Sequence, residues 1–482
     1  MDEVHIFLFP MMAHGHMIPT LDMAKLFVYR GARATVITTP LNVPYLTKAI
    51  QQINHLGIEI ALQAIRFPAA EAGLPEGCER MDQLTSDDLV PKFFKATAML
   101  QEPLEKLLQD CRPNALVADM FFPWATHAAA KFGIPRLVFH GIGYFALCAA
   151  ENVRAYKPHH NVSSDLEPFL VPDLPHQIYL TRSQLSRHDR EDSETYMTKL
   201  LQQVKESESK SYGVIVNSVY ELEPEYAEYY TKVLGKRAWH IGPLLLCNTK
   251  IEEKALREKT TTLLTPPPST ENRHDILKWL DTKKPNSVIY VCFGSMSHFT
   301  SSQLHEIAVG LEASEQHFIW VVRKDDKDPE NEEWLPEGYE ERVRGKGMIV
   351  RGWAPQVLIL DHEATGAFVT HCGWNSTLEG ICAGVPMVTW PMFAEQFYNE
   401  KLVSRVLKVG VEVGAKQWSR VTADVKGEAV AQAVVRVMVG EEAEGFRSRA
   451  RSLKEKALNA IEPGGSSYSA LNALLKELST TK

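Results

Sequence analysis

Two doubly wound α/β domains facing each other across a cleft are what this sequence predicts, on three observations. Short apolar runs alternate with amphipathic helical patterns and are joined by brief turns containing Gly or Pro, as in a parallel sheet. The alternation occurs twice, on either side of a charged, proline-rich stretch from Cys247 to His274 that reads as a linker. In each half, unusual polar residues stand directly after apolar runs, which is where ligands of such sheets bind.

Taken in order, His5 to Phe9 is the first apolar run, closed by Pro10. A helix follows with Leu21, Ala24 and Val28 on one face and Pro19 near its first turn. Gly31 stops it, and Ala34 to Thr38 is predicted as the next strand. The unit recurs at Ala115 to Asp119 (strand), Trp124 to Phe132 (helix, stopped by Gly133) and Ile134 to Phe139 (strand). Beyond the linker, Val288 to Phe293, Phe318 to Val322, Met348 to Val350, Ala367 to Thr370 and Pro386 to Trp390 are predicted strands. Helical patterns separate most of them, at Ser302 to Ala313, Gln356 to Leu360, Trp374 to Ala383 and Ala394 to Leu407. The stretch from Asp424 to Leu478 is predicted helical with a break at Gly464-Gly465. The domains expected are 1–246, a linker 247–274, a second α/β domain 275–460 and a terminal helix 461–482.

With 52 Lys and Arg against 60 Asp and Glu, the formal charge of the 482-residue chain is −8, which argues against nucleic acid or an anionic membrane as partner. A hydrophobic fraction of 45% and a charged fraction of 23% exclude a mostly disordered chain. No apolar stretch is long enough to span a bilayer. The acidic start, Asp2-Glu3, is unlike a signal peptide. Seven scattered Cys without a Cys-x-x-Cys argue for reduced thiols, and a cytoplasmic protein is expected.

Three places carry chemistry. After the first strand comes His14-Gly15-His16-Met17-Ile18-Pro19, with His16 at the mouth of a helix. A neutral imidazole there can act as a general base. A solvent-facing turn histidine, or a His14/His16 metal pair, are the alternatives, but no further cluster has metal-ligand spacing. Asp119 ends an apolar run, where a carboxylate is costly to bury unpaired. It can orient His16 or cap a helix. The third place is richer. Trp353 can stack on a flat base, His371 ends a strand, and Gly373-Trp374-Asn375-Ser376 opens a helix whose N–H groups and dipole suit a diphosphate. Glu379 shares a face with Asn375 and can accept from ribose hydroxyls. Glu395-Gln396 suits the vicinal hydroxyls of a sugar.

The stretch Trp353 to Gln396, Trp-Ala-Pro-Gln…His-Cys-Gly-Trp-Asn-Ser…Glu-Gly…Pro…Glu-Gln, resembles the signature box of plant secondary-product UDP-glycosyltransferases. The resemblance spans the chain, through the N-terminal Gly-His-x-x-Pro, Phe139-His140-Gly141 and Asn217 to Glu223. Within that family the chain is similar to the phenylpropanoid, scopoletin and flavonoid O-glucosyltransferase group. The resemblance implies the two-domain GT-B fold and inverting transfer of glucose from UDP-glucose to a hydroxyl of a small phenolic acceptor. It implies His16 as catalytic base and Asp119 as its acidic partner. It implies Trp353, Ala354 and Gln356 at the base and ribose, Glu379 at the ribose, and Ser295, His371, Asn375 and Ser376 at the diphosphate. Trp374, Glu395 and Gln396 would surround the sugar, with Gln396 fitting a glucose preference. Glu395 stands where many members have Asp, and Ile142-Gly143 where relatives often carry a hydroxyl. UDP-glucose is then a co-substrate with no tightly bound cofactor and no metal, and the protein is expected to be a monomer. The resemblance also implies that the terminal helix around Ser466 to Leu478 packs on the N-terminal domain.

Acceptor choice falls to loops around Pro10 to Met12, Phe67 to Cys78, Met120 to Trp124, His140 to Ala150 and Thr181 to Asp192, so a triterpenoid acceptor or another donor sugar is the alternative. Three rivals rank lower. Asp326-Lys327-Asp328 sits in a charged run rather than at a strand end, against a metal-dependent transferase. Gly141-Ile142-Gly143-Tyr144-Phe145-Ala146 mimics a dinucleotide fingerprint but lacks the acid about 20 residues on. A non-catalytic UDP-sugar binder would be expected to have lost His16 or Asp119.

Overall fold

β1 (His5–Phe9) lies near the middle of a seven-stranded parallel sheet in a computed structural model of the chain. The structure describes residues 4–55, 57–84, 86, 88–191, 193–249, 253–254, 257, 270–322, 334–422 and 425–480. Asp192, most of the 247–274 stretch, Asp326 to Asp328 and Asp424 lie outside the described residues.

The other strands of this sheet are β2 (Arg33–Thr38), β3 (Ile60–Ala64), β4 (Ala115–Asp119), β5 (Arg136–Phe139), β8 (Gly213–Val216) and β9 (Ala238–His240). Their order is β3-β2-β1-β4-β5-β8-β9. A hairpin of β6 (Pro168–Leu170) and β7 (Tyr179–Thr181) falls between β5 and β8 in sequence. The second sheet has six parallel strands in the order β13-β12-β10-β14-β15-β16. These are β10 (Val288–Cys292), β12 (His317–Val322), β13 (Gly347–Arg351), β14 (Thr365–Thr370), β15 (Met387–Thr389) and β16 (Gly410–Glu412), while β11 (His298–Phe299) pairs separately with β17 (Val421–Thr422). Both orders run outward to one edge and then restart from the first strand. Both sheets are therefore Rossmann-like, and each has a switch point at a pair of neighbouring strands, β1/β4 and β10/β14.

Contacts divide the chain into two compact units, Met1–Tyr144 with Glu191–Leu264 and Asn459–Lys482, and Phe145–Arg190 with Thr265–Leu458. Residues 145–190, which the sequence division places in the N-terminal half, thus group with the second unit. The Trp418 N–H donates to the Ser183 carbonyl at 2.8 Å and Ser183 Oγ donates to the Lys416 carbonyl at 2.7 Å, stitching that segment to the C-terminal chain.

In the first unit one core lies between β1, β2, β4 and the helices His14–Tyr29, Val43–Asn54 and Ser466–Thr480. Leu471, Leu474, Leu475 and Leu478 of the terminal helix bury themselves there beside Trp239, each contributing about 1.5–3 kcal/mol. Arg237 lies over the rings of Tyr212 and Trp239 and pairs with Glu477. The opposite face of the sheet carries a second core rich in Phe, including Phe7, Phe9, Phe93, Phe94 and Phe122. The second unit has its own core around Trp320, Trp390 and Val434.

Most predicted elements form, with shifted ends. Two departures have clear causes. The helix read over Ala394 to Leu407 begins only at Gln396, because Ala394 adopts φ +54°, and it loosens into a π turn at Leu402–Val406. The run read from 424 to 478 breaks once more than expected, into Gly427–Met438, Ala443–Ile461 and Ser466–Thr480, at Val439-Gly440. Among the described residues no helix is long and apolar enough to cross a membrane. None of the seven Cys is joined in a disulfide.

Candidate active site

In the first unit the switch point brings together two residues 103 positions apart in sequence. β1 and β4 are adjacent with Phe9 opposite Ala118, so the segment leaving β1 and the last residue of β4 emerge side by side. Ala13, in extended conformation, caps the His14–Tyr29 helix, which places His16 in its first turn. His16 Nδ1 lies 2.6 Å from Asp119 Oδ2. The Asp119 carboxylate is 1% exposed and accepts a second hydrogen bond, from the Phe121 N–H to Oδ1 at 3.0 Å. With both oxygens engaged, the carboxylate is fixed, and it directs the Nδ1 proton of the imidazole toward itself. Nε2 is then the basic nitrogen.

Beneath this pair lies Arg136, the first residue of β5, which sequence reasoning missed. Its buried guanidinium donates to the main-chain carbonyls of Ala118 (3.2 Å) and Asp119 (2.9 Å) and to Thr126 Oγ1 (3.1 Å). The Arg at the head of the apolar run Arg136–Phe139 is the sequence signal that could have found it. A run of rings leads away from His16, with Phe121 at 6.1 Å from it, Phe94 at 5.5 Å from Phe121, and Tyr196 stacked on Phe94 at 6.2 Å. His14 is not part of the pair. It lies 3.8 Å from Asp82, and burial pushes its imidazole down to about 4, so it is neutral near pH 7. Among the described residues no group of three or more His, Cys, Asp or Glu is placed to hold a metal.

In the second unit the residues read from the sequence stand at the carboxyl ends of β13, β10, β14 and β15. Half-buried Trp353 and buried Ala354 follow β13. Gln356 opens the Gln356–Asp361 helix, and its Nε2 donates to Ser376 Oγ at 3.0 Å and to Glu379 Oε2 at 2.5 Å. Those three residues form one polar cluster, with Ser376 and Glu379 on the buried face of the Trp374–Ala383 helix. Asn375 is half-buried at that helix's first turn, whereas the Trp374 side chain packs into the protein at 3% exposure.

His371 sits where β14 ends, beside the end of β10 that leads to Gly294 and exposed Ser295. Its ring is wedged between two glycines. A Cβ on Gly294 would lie 2.8 Å from His371 Cε1, and one on Gly373 would lie 2.5 Å from Nε2. Gly294 also holds φ +73°, so a side chain there is strained as well as crowded. Desolvation pushes the His371 pKa down to about 4, so the ring is neutral, and its Nδ1 is buried with no protein partner among the described residues. A neutral ring beside a helix N-terminus presents N–H dipoles rather than charge.

After β15 the chain turns through 390–394 into the Gln396–Lys401 helix, with Glu395 at its N-cap. Gln396 Oε1 accepts from the N–H groups of Met392 (2.9 Å) and Phe393 (3.0 Å), which fixes the side chain and leaves Nε2 as its donor for other partners. Asn399 donates to Glu395 Oε1 at 3.2 Å and to the Cys372 carbonyl at 2.8 Å. The sequence reading missed it too, although its spacing of four from Glu395 on a helix was a visible signal.

Residues 268–438 match a family model described as UDP-glucoronosyl and UDP-glucosyl transferase. Over 481 residues the chain is 62% identical to a scopoletin glucosyltransferase of Nicotiana tabacum, covering 100% of this chain and 99% of that one. It is 56% identical over 486 residues to an anthocyanin 3'-O-beta-glucosyltransferase of Gentiana triflora, covering 100% and 99%. Among solved structures, the Glycyrrhiza uralensis protein UGT73P12, crystallised with glycyrrhetinic acid 3-O-monoglucuronide, superposes with a TM-score of 0.91 at 39% identity, covering 100% of this chain and 96% of that one.

Proposed function

Because the chain belongs to the UDP-glucoronosyl and UDP-glucosyl transferase family, we propose that it moves glucose from UDP-glucose to a hydroxyl of a small phenolic acceptor, a coumarin or flavonoid, with inversion at the anomeric carbon. The observation that carries the chemical part of this reading is the 2.6 Å contact between His16 and the buried carboxylate of Asp119. His16 Nε2 takes the proton of the acceptor hydroxyl as its oxygen bonds to the anomeric carbon. The bond from that carbon to the diphosphate breaks on the opposite side, and UDP leaves with the electron pair. Asp119 stabilises the imidazolium that forms. The ring series of Phe121, Phe94 and Tyr196 supports a flat aromatic acceptor, whose faces pair with such rings.

For the donor, Trp353 stacks on uracil with Ala354 and Gln356 beside the base, and Glu379 accepts from the ribose. Ser295, His371, Asn375 and Ser376 hold the diphosphate, where the N-terminus of the Trp374–Ala383 helix meets the charge that builds on the leaving group. This reading gives charge stabilisation to fixed dipoles, with no metal. Trp374, Glu395 and Gln396 surround the glucose, Gln396 donating through Nε2. Along the chain, 1–246 serves the acceptor, 275–460 the donor, and 247–274 links them. The packing of the Ser466–Thr480 helix on the first sheet supports assigning 461–482 to the acceptor side. A monomer in the cytoplasm is the working state we propose.

The oxidoreductase reading of Gly141 to Ala146 is set aside. Relatives named glucosyltransferases cover the whole chain.

Incubation with a panel of UDP-sugars and acceptors, read by mass spectrometry, tests the proposal. Hexose addition to coumarins and flavonoids from UDP-glucose is the expected result. Products from a triterpenoid alone would overturn the phenolic assignment. A second expectation concerns the wedge around His371. Gly294→Ala is expected to raise the KM for UDP-glucose roughly tenfold or more, by tilting the ring by a fraction of an ångström, and to leave the acceptor KM nearly unchanged. Steady-state kinetics with each substrate varied in turn checks it.

A further inference from the structure

Asn399 is fully buried, and its two amide ends are treated differently by the fold. Nδ2 donates to the Cys372 carbonyl at 2.8 Å and to Glu395 Oε1 at 3.2 Å, while Oδ1 is buried with no protein partner among the described residues. The orientation is unambiguous, since the Cys372 carbonyl can only accept. A buried amide with an orphaned oxygen is a net cost to folding unless its other arm achieves something a hydrophobic side chain could not. That arm touches two places. Cys372 is the middle residue of the His371–Gly373 turn and holds φ +63°, uncommon for a residue with a side chain. Glu395 is the carboxylate assigned above to the sugar hydroxyls, one turn of helix before Asn399.

We propose that Asn399 is a positioning residue for donor-sugar recognition. Its Nδ2 ties the Glu395 carboxylate to the Cys372 carbonyl, so the group that grips the sugar is placed by reference to the His371–Gly373 turn. Asn399 itself touches neither substrate. Without this donor the Glu395 carboxylate loses its tie to the turn, and hydrogen bonds to the sugar hydroxyls weaken while contacts to the uridine and diphosphate persist. Asn399 has this role only if Glu395 grips the donor sugar, as proposed above.

A double-mutant cycle with calorimetric binding of UDP-glucose and of UDP tests it, on the full chain, with thermal melting as a check of folding. Asn399→Ala and Glu395→Ala are each expected to weaken UDP-glucose binding about tenfold, with UDP binding changed less than about threefold. The double variant should be no weaker than the worse single, because both changes remove one interaction. An additive loss of about a hundredfold, or equal losses for UDP and UDP-glucose in Asn399→Ala, would overturn the assignment. If Asn399→Ala does not fold, Asn399→Leu keeps the size, lacks the donor and gives the same readout. Failure of the donor reading itself shows separately, as parent protein that binds UDP-glucose no better than UDP-galactose, or Glu395→Ala that binds it as the parent does.

Discussion

Replacing His16 with alanine is expected to lower kcat/KM toward a phenol by about 10²–10⁴-fold while UDP-glucose affinity stays within about twofold of the parent. The asymmetry follows from where the residues stand. His16 and Asp119 belong to the first unit, whereas every residue assigned to UDP-glucose belongs to the second. Removing the imidazole takes away the acceptor of the phenol's proton without touching the donor site. The His16 side chain is one-quarter exposed, so its removal opens little space, and thermal melting measures the cost of leaving the Asp119 carboxylate without the ring. Initial rates with saturating UDP-glucose, together with calorimetric titration of the nucleotide sugar, measure both halves. Retained activity would remove His16 from the reaction.

Asp119→Asn is expected to cost on the order of 10²–10³-fold in kcat, with little change in either KM. The substitution preserves size, and the Phe121 N–H keeps one amide orientation, with Oδ1 toward the backbone. The new NH₂ group then faces His16 Nδ1 across what was a 2.6 Å contact. It can only donate, so Nδ1 becomes the acceptor and the ring proton moves to Nε2, the nitrogen that must accept from the substrate. The ring is still there but in the wrong tautomer, and the imidazolium loses its counter-charge. The loss should therefore fall on kcat, measured under saturation with both substrates. A variant with parent-like kcat would mean that the carboxylate serves the fold alone.

The fold was legible where burial is symmetrical and continuous. β1, β4, β10 and β14 are central strands and read as continuous apolar runs, closed by Pro10, Asp119, Gly294 and His371. Of the edge strands of the two large sheets, β13 was read, as Met348 to Val350, but β3, β9 and β16 were not. β3 is half exposed, and β9 and β16 are three residues long, too short for any period to show. Of the site, His16, Asp119 and the residues from Trp353 to Gln396 stood out because polar side chains directly after apolar runs are chemically expensive. Arg136 and Asn399 did not. Both work through main-chain carbonyls of distant segments, so the signals they carry, an Arg heading an apolar run and a spacing of four from Glu395, mark the positions without naming the partners. Gly294 and Gly373 were equally silent, since the ring they confine comes from β14, and only the folded chain brings it against Gly294.

A general base matters only while its substrate still holds a proton. The ratio of parent to His16→Ala rates should therefore depend on the acidity of the acceptor hydroxyl, and a series of phenols spanning several pKa units, assayed at one pH, measures it. The ratio is predicted to be large for weakly acidic phenols and to collapse toward one for nitrophenols already ionised in the assay. A ratio that stays constant across the series would contradict proton removal by His16.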